Sequence, residues 1–170
     1  MDAITMTIDS PLGMLRLVER DHALAGIYLP TQDVPWLADV PRRTTRLLER
    51  AAGQLVEYFA GDRRAFDLPL SLRGTGFQSL VWRALAAIPY GETRSYGELA
   101  RAIGRPAASR AVGFANSNNP ISIVVPCHRV IAASGSLTGY AGGLAAKRWL
   151  LDHELCSGGG VATVPRCIGT

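Results

Sequence analysis

The chain has 170 residues, of which 48% are hydrophobic, so it fits one ordinary domain or two small joined ones and is not largely disordered. No apolar run approaches the roughly 20 residues that cross a bilayer, no secretory signal is recognisable, and three cysteines make no disulfide framework, so we expect a cytoplasmic protein. The net charge of +4 is uneven, because residues 73–148 carry nine basic and two acidic residues whereas residues 1–72 carry eight basic and ten acidic ones. One half therefore suits a polyanion, although a solvated basic face explains the charge alone equally well.

The first elements predict a small antiparallel sheet. Apolar and polar residues alternate over residues 4–8, 15–17 and 25–29, with a turn at Ser10–Gly13 and a polar corner at Asp21-His22 between them.

A helix follows the sheet. Residues 30–43 hold three prolines and predict a loop, whereas apolar residues from about Thr44 to Ala60 recur at helical spacing up to Gly61. Residues 61–75 predict a linker with a short strand around residues 66–72.

Three helices open the second half. Apolar residues from Phe77 to Ile88 recur as in an amphipathic helix. Shorter helices over residues 96–103 and 108–115 are joined by Gly104 and Pro106, which is typical of a helix-turn-helix. The alternative is an ordinary helical hairpin packed in a core.

Residues 123–131 form an apolar run that is interrupted by Cys127, His128 and Arg129. Burying such polar groups costs several kcal/mol, by rough estimate, unless they find partners. Pro126 favours an irregular segment over a central strand, although we expect a strand around Cys127. Cys127 is therefore a candidate nucleophile, and the alternative is a small core residue.

The chain ends with a glycine-rich loop, a helix and a tail. The helix is predicted from about Leu144 to Leu155, and residues 156–170, with three consecutive glycines, predict a flexible tail in which Cys156 and Cys167 are free thiols. The histidines and cysteines show no paired ligand spacing, so we expect neither a metal nor a cofactor.

Four motifs in this half resemble those of one family. They are Arg110–Gly113, Asn119-Pro120, Pro126–Val130, and Gly139-Tyr140 with Gly142-Gly143. Together they resemble the O6-alkylguanine-DNA alkyltransferases over about residues 75–155. The resemblance implies an α+β fold, with a ribonuclease-H-like sheet and helix in a domain at 1–72 and an all-helical, winged helix-turn-helix-like domain at 73–155.

The resemblance also implies a reaction. Such proteins flip an O6-alkylated guanine, and also an O4-alkylated thymine, out of duplex DNA and move the alkyl group once to a cysteine sulfur. Cys127 would be the nucleophile, His128 its base through a water, and Glu154 the carboxylate that orients the imidazole. An ordinary thiol of pKa about 8.5 is mostly protonated at neutral pH, so the reaction needs a route to the thiolate. Without the family match, a solvated carboxylate at a helix end is the favoured interpretation of Glu154.

The same resemblance places eight residues against the base or the DNA: Tyr96, Arg110, Asn119, Arg129, Val130, Tyr140, Ala141 and Lys147. Tyr96 would donate to guanine N3 or pack in the core, and the backbone of Tyr140-Ala141 would line the O6 side, where many relatives have serine in place of Ala141. Lys147 would balance charge or face solvent.

Two of the eight residues would support base flipping. Arg110 would enter the gap that the flipped base leaves, on a helix whose small residues suit a minor groove. Asn119 would tie the end of that helix to the cysteine segment.

Two other functions compete with single-turnover alkyl transfer. A relative that binds alkylguanine without repair lacks the cysteine, and a Cys-His-Glu hydrolase would leave the basic half unexplained. The expected partner is double-stranded DNA that carries O6-alkylguanine, with no membrane contact, bound by a monomer whose cooperativity the sequence leaves open.

Overall fold

The structure is a computed structural model that describes residues 3–158. In that range it contains five α-helices, five β-strands and two short 3-10 helices at Pro35–Leu37 and Cys127–Arg129. In chain order the strands and α-helices are β1 Ile4–Ile8, β2 Leu15–Arg20, β3 Ala23–Tyr28, α1 Arg46–Phe59, α2 Gly76–Ala86, β4 Arg94–Ser95, α3 Tyr96–Ala102, α4 Ser109–Ser117, β5 Val130–Ile131 and α5 Leu144–Ser157. No helix in the described range is long and apolar enough to cross a membrane.

The N-terminal sheet and helix are confirmed. Strands β1, β2 and β3 form an antiparallel sheet in that order, with Thr5 opposite Val18 and Leu17 opposite Ile27. Helix α1 covers one face of the sheet, and its Leu48 is fully buried in the same core as Leu17. The period of two in the strands and the helical period in α1 therefore bury one face of each element.

Side-chain caps fix where the helices begin. Thr45 accepts a hydrogen bond from the backbone of Leu48 at 3.1 Å. Thr75 at the start of α2 and Ser95 at the start of α3 each form a capping box with the residue three positions on. Each cap satisfies backbone N–H groups that a helix leaves free at its first turn.

Three predicted elements are wrong. No strand forms around residues 66–72, where Leu70 makes only an isolated bridge to Leu24. Cys127 lies in a 3-10 turn and not in a strand, because Pro126 interrupts the extended backbone before it. The second half is not all-helical either, since β5 pairs in parallel with β4.

The cysteine segment is anchored against the N-terminal sheet. The backbone N–H of Ile27 donates to the carbonyl of Pro120 at 2.9 Å, and the hydroxyl of Thr31 donates to the carbonyl of Gly142 at 2.9 Å. A Cβ on Gly142 would lie 2.6 Å from a methyl carbon of Leu29, so a larger residue there would have to displace that buried side chain. Sheet β1–β3 therefore holds both chain segments that flank Cys127 in space.

The last helix is longer than predicted. Helix α5 continues through residues 156 and 157, which the sequence assigned to a flexible tail. Cys156 is disulfide-bonded, so the prediction of a free thiol there is wrong. The rest of the predicted tail, with Cys167, lies outside the described residues apart from Gly158.

Candidate active site

Cys127 begins a tight turn inside the protein. Its backbone N–H donates to the carbonyl of Val125 at 2.8 Å, and the N–H of Arg129 donates to the carbonyl of Pro126 at 3.0 Å. Ile123, four residues earlier, has a φ of +74°, a conformation that β-branched residues rarely adopt. The side chain of Cys127 belongs to the core, and the residue is 2% exposed.

Two asparagines attach the end of α4 to this turn. The side-chain N–H of Asn119 donates to the carbonyl of Val125 at 2.8 Å, and its Oδ1 accepts from the N–H of Ile121 at 3.0 Å. Asn116 donates to the carbonyl of Cys127 itself at 3.4 Å. Asn119 therefore makes the link that the sequence predicts, and Asn116 is a second link that the sequence analysis missed.

Glu154 is the centre of a buried polar cluster. Its Oε1 accepts from Tyr58 Oη at 2.7 Å, from His128 Nε2 at 2.7 Å and from Arg129 Nη2 at 2.9 Å. Its Oε2 accepts from Arg129 Nε at 2.9 Å and from the backbone N–H of Gly91 at 3.2 Å. The alternative of a solvated carboxylate is excluded, because Glu154 is 1% exposed.

The cluster keeps Glu154 ionised. Burial alone would raise the pKa of this carboxyl, but hydrogen bonds and charge from His128 and Arg129 hold the pKa well below its usual range. Burial lowers the pKa of His128, against the opposing pull of Glu154, so the imidazole is neutral near pH 7. An ionised carboxylate requires a donor, so Nε2 of the imidazole carries the proton.

The other imidazole nitrogen is available as a base. His128 Nδ1 is fully buried and has no hydrogen-bond partner among the described residues. A neutral imidazole that donates through Nε2 offers a lone pair at Nδ1. The geometry therefore gives His128 the tautomer that can accept a proton on the side away from Glu154.

The thiol of Cys127 is protonated in this state. Burial raises its pKa to about 11, although Asn119 and the charge of Lys147 act in the opposite direction. Burial likewise lowers the pKa of Lys147 to about 8, which still leaves a mostly charged ammonium at pH 7. Lys147 is thus a buried cation beside the thiol, and its predicted alternative, a solvent-facing lysine, is excluded.

A hydrogen-bonded chain joins Lys147 to Tyr96. Lys147 Nζ donates to the carbonyl of Val130 at 2.5 Å and to the carbonyl of Thr138 at 2.9 Å. The half-buried Tyr96 donates from its hydroxyl to the same Thr138 carbonyl at 3.1 Å. Val130 is itself buried, so the backbone of Val130 and Thr138 holds both donors in place.

Tyr140 is a buried neighbour of the thiol. Burial raises the pKa of its phenol well above the usual value, and the nearby Cys127 adds to this effect. The hydroxyls of Tyr140 and Ser122 are both buried, and they lie close enough to interact with each other. Ala141 follows Tyr140 at half burial and adds no polar side-chain atom.

Arg110 is separate from this cluster. It lies near the start of α4 with its side chain exposed to solvent, whereas Val112 and Ala115 of the same helix are buried. Arg110 is therefore placed to contact a partner outside the protein.

The structure places Arg129 differently from the prediction and adds Tyr58. Arg129 was grouped with residues against the base or DNA, yet it is buried and donates to Glu154 and, at 2.6 Å, to the carbonyl of Ile88. Tyr58 comes from α1 in the N-terminal half, where no motif in the sequence predicts a site. No group of three or more potential metal ligands occurs among residues 3–158.

Two family models match the chain. The 6-O-methylguanine DNA methyltransferase ribonuclease-like domain matches residues 4–72, and the DNA binding domain of the same description matches residues 76–156.

Relatives match over nearly the whole chain. The methylated-DNA–protein-cysteine methyltransferase of Mycolicibacterium paratuberculosis is 55% identical over 153 residues, which cover 87% of this chain and 90% of that protein. The constitutive enzyme of that name from Bacillus subtilis is 47% identical over 156 residues, which cover 89% and 94%.

Solved structures agree with these matches. The O6-methylguanine methyltransferase of Mycobacterium tuberculosis superposes with a TM-score of 0.86 at 49% identity, over 91% of this chain and 94% of that chain. A structure of Mycobacterium tuberculosis OGT in complex with DNA gives a TM-score of 0.84 at 49% identity, over 92% and 94%. The buried Cys127 turn, the two domain matches and these identities together establish that the chain belongs to the 6-O-methylguanine DNA methyltransferase family.

Proposed function

We propose that this protein repairs O6-alkylguanine in duplex DNA by transferring the alkyl group, once, to the sulfur of Cys127. The observation that carries the proposal is that Nδ1 of His128 has no hydrogen-bond partner among the described residues. The hydrogen bond from Nε2 to Glu154 leaves Nδ1 as the basic nitrogen, and His128 follows the buried Cys127 directly in the sequence. Alkylated thymine, with the alkyl group on O4, is a second substrate within the same proposal.

The reaction begins with removal of the thiol proton. A thiol whose burial raises its pKa to about 11 is a poor nucleophile, so the proton must leave for a base as the substrate arrives. His128 Nδ1 accepts that proton through a bridging water, because the turn keeps the side chains of Cys127 and His128 apart. Glu154 stabilises the imidazolium, and Lys147 stabilises the thiolate.

The transfer is a displacement at carbon. The sulfur of Cys127 forms a bond to the alkyl carbon as the bond from that carbon to guanine O6 breaks. Guanine leaves with the electron pair and takes a proton from a nearby donor, so the sum is a thioether and unmodified guanine. Because nothing regenerates the thiol, each protein reacts once.

Donors around the pocket receive the negative charge of the leaving base. The hydroxyl of Tyr96 donates to guanine N3 once the base replaces its present acceptor, the carbonyl of Thr138. The backbone N–H of Ala141 meets the O6 side in place of the side-chain hydroxyl that many relatives have. Tyr140 and the backbone of Val130 line the pocket.

Arg110 and Asn119 serve base flipping. Arg110 fills the gap in the stack, because extrusion of a base costs a few kcal/mol, roughly, and a side chain in the void offsets part of it. Asn119 keeps α4 in register with the cysteine turn, so that the helix and the thiol approach the DNA together. The DNA complex of the Mycobacterium tuberculosis relative supports a DNA partner for this chain.

The proposal includes the finer organisation. Residues 1–72 form a ribonuclease-H-like domain that supports the cysteine turn, and residues 73–155 form a winged helix-turn-helix-like domain that binds DNA. The protein acts in the cytoplasm as a monomer.

Intact-protein mass spectrometry tests the proposal. After incubation with a duplex that holds one O6-methylguanine, the protein should gain one methyl group, on the peptide that contains Cys127. The gain should never exceed one per protein and should be absent in Cys127→Ser. Binding without mass gain would instead indicate a non-catalytic binder, and turnover of an ester substrate would indicate a hydrolase.

A further inference from the structure

Helix α4 carries one large apolar side chain on its solvent face. Phe114 is 68% exposed, more than any other large apolar side chain among the described residues. The remaining exposed positions of the helix are Arg110, Ala111 and Ser117, whereas Val112 and Ala115 face the core. Phe114 is thus four residues after Arg110, on the same face of the helix.

The stretch of sequence that contains Phe114 is positively charged. No aspartate or glutamate occurs between Glu98 and Asp152 in the sequence. Arg101, Arg105 and Arg110 are exposed, and none of them forms a salt bridge within the described part of the chain. An exposed ring on the same helix face as the exposed Arg110 suits a nucleic acid, which offers phosphates beside apolar sugar edges.

We propose that Phe114 is a second minor-groove contact of this protein and makes it sensitive to the base pairs that flank the lesion. The inference rests on the proposed function and adds a specificity-determining residue to it. The occupant of this surface is duplex DNA, with the ring of Phe114 against the groove floor and the sugars.

Helix geometry sets which base pairs Phe114 meets. Four residues of an α-helix rise about 6 Å, and base pairs are about 3.4 Å apart. When Arg110 occupies the gap of the flipped base and α4 follows the groove, Phe114 lies about two base-pair steps away. The ring therefore contacts pairs beside the lesion and not the lesion itself.

The chemistry of the ring predicts which pairs it prefers. In the minor groove a G·C pair presents the N2 amino group of guanine, whereas an A·T pair presents only acceptors and no protruding donor. Phenylalanine has no acceptor for that amino group, and the ring would cover it without a hydrogen bond. A·T pairs two steps from the lesion are therefore favoured.

Phe114→Ala tests the assignment, with Phe114→Leu as the conservative variant. Methyl transfer is measured at limiting concentrations on two duplexes that hold O6-methylguanine, with either A·T or G·C pairs two steps on each side. Free O6-benzylguanine serves as a substrate that needs no groove. Val56→Ala, on the distant helix α1 and 60% exposed, is the matched control.

The wild-type protein should react about five- to tenfold faster with the A·T-flanked duplex than with the G·C-flanked duplex. This is the rate difference expected when the contact changes affinity by up to about tenfold. Phe114→Ala should lose most of this preference and react more slowly with duplex, while its rate with the free base changes less than twofold. Phe114→Leu should retain part of the preference, and Val56→Ala should match the wild type.

Duplex affinity is measured separately by fluorescence anisotropy in a Cys127→Ser background, with and without Phe114→Ala. Equal affinities and equal flank preferences with and without the ring would overturn the inference, even if the wild-type protein is methylated normally. Failure of the wild type to gain a methyl group would count against the proposed function instead, and the anisotropy result would still decide the role of Phe114. A change in oligomeric state of Phe114→Ala, without a change in DNA affinity, would assign the ring to a protein interface and also overturn the inference.

Discussion

Replacement of Glu154 by glutamine should destabilise the protein far more than loss of one ordinary ion pair. Glu154→Gln keeps the shape of the side chain but removes its charge and turns one acceptor oxygen into a donor group. The carboxylate accepts five hydrogen bonds, including two from Arg129. At least one donor would therefore face another donor, whichever way the amide turns.

The size of the effect follows from the burial of Arg129. This guanidinium is 6% exposed, and its counter-charge within the cluster is Glu154. Removal of one partner of a buried ion pair costs about 3–5 kcal/mol, because the other charge is left without compensation in a poorly solvated site. We expect the free energy of unfolding to fall by about that amount, out of the 5–15 kcal/mol, roughly, of a typical domain.

Urea unfolding at pH 7 measures this loss. Glu57→Gln is the matched control, because Glu57 pairs with Arg63 at the surface and such pairs contribute about 0–1 kcal/mol. Equal losses in the two variants would refute the reasoning.

The pH dependence gives a second readout. The pKa of Glu154 lies below its usual value of 4.5, so the unfolded chain binds more protons than the folded one as pH falls below that value. The stability from this carboxylate is complete above pH about 4.5 and is lost as pH falls through the folded-state pKa. The difference between wild type and Glu154→Gln should therefore be constant near neutrality and shrink in acid.

Four further outcomes follow from the same geometry. Native Cys127 should react with iodoacetamide at pH 7 at least tenfold more slowly than in urea, since burial raises its pKa to about 11, and equal rates by mass spectrometry would contradict this. Arg110→Ala should slow methyl transfer from duplex more than transfer from free O6-benzylguanine, and equal losses would show that Arg110 does not fill the gap of the flipped base. Burial lowers the pKa of Lys147 to about 8, so as pH rises the folded protein loses this proton before the unfolded chain does. Urea unfolding should therefore show that wild type gains stability relative to Lys147→Met between pH 8 and 10.5. A difference that stays constant over this range would argue against a buried cation. Protein methylated at Cys127 should lose about 1–3 kcal/mol of folding free energy and melt at a lower temperature, because the methyl group overfills a packed site. Identical calorimetric traces for the methylated and unmethylated protein would show that the site has spare room.

The sequence predicts the elements whose signals are local. The sheet of β1–β3 and the helices follow from the spacing of apolar residues, which is readable in the sequence alone. The pairing of His128 with Glu154 was expected only from the family motif, because 26 residues separate them. That pair is present in the structure, with the imidazole proton on the carboxylate side.

The rest of the site depends on packing that no local pattern encodes. Tyr58 belongs to a helix 96 residues away from Glu154 and meets it only when α1 and α5 pack together. The family motif predicts that Arg129 contacts the base or the DNA, yet the 3-10 turn directs its side chain inward to Glu154. Lys147 has the pattern of a surface lysine, and its burial follows from the carbonyls of Val130 and Thr138 that accept its protons.

A buried, protonated thiol suits a protein that can react only once. If Cys127 were ionised and exposed, any alkylating agent in solution could consume it, because thiolates are the reactive form. In this structure the thiol stays neutral until its proton has a destination, and Arg129 and Tyr58 determine that destination by holding Glu154 as the acceptor of the Nε2 proton. His128 Nδ1 then remains as an unpartnered ring nitrogen that can take the thiol proton. Reactivity thus depends on a substrate that enters the pocket and brings thiol, imidazole and leaving base into one proton pathway, which separates repair of DNA from random alkylation.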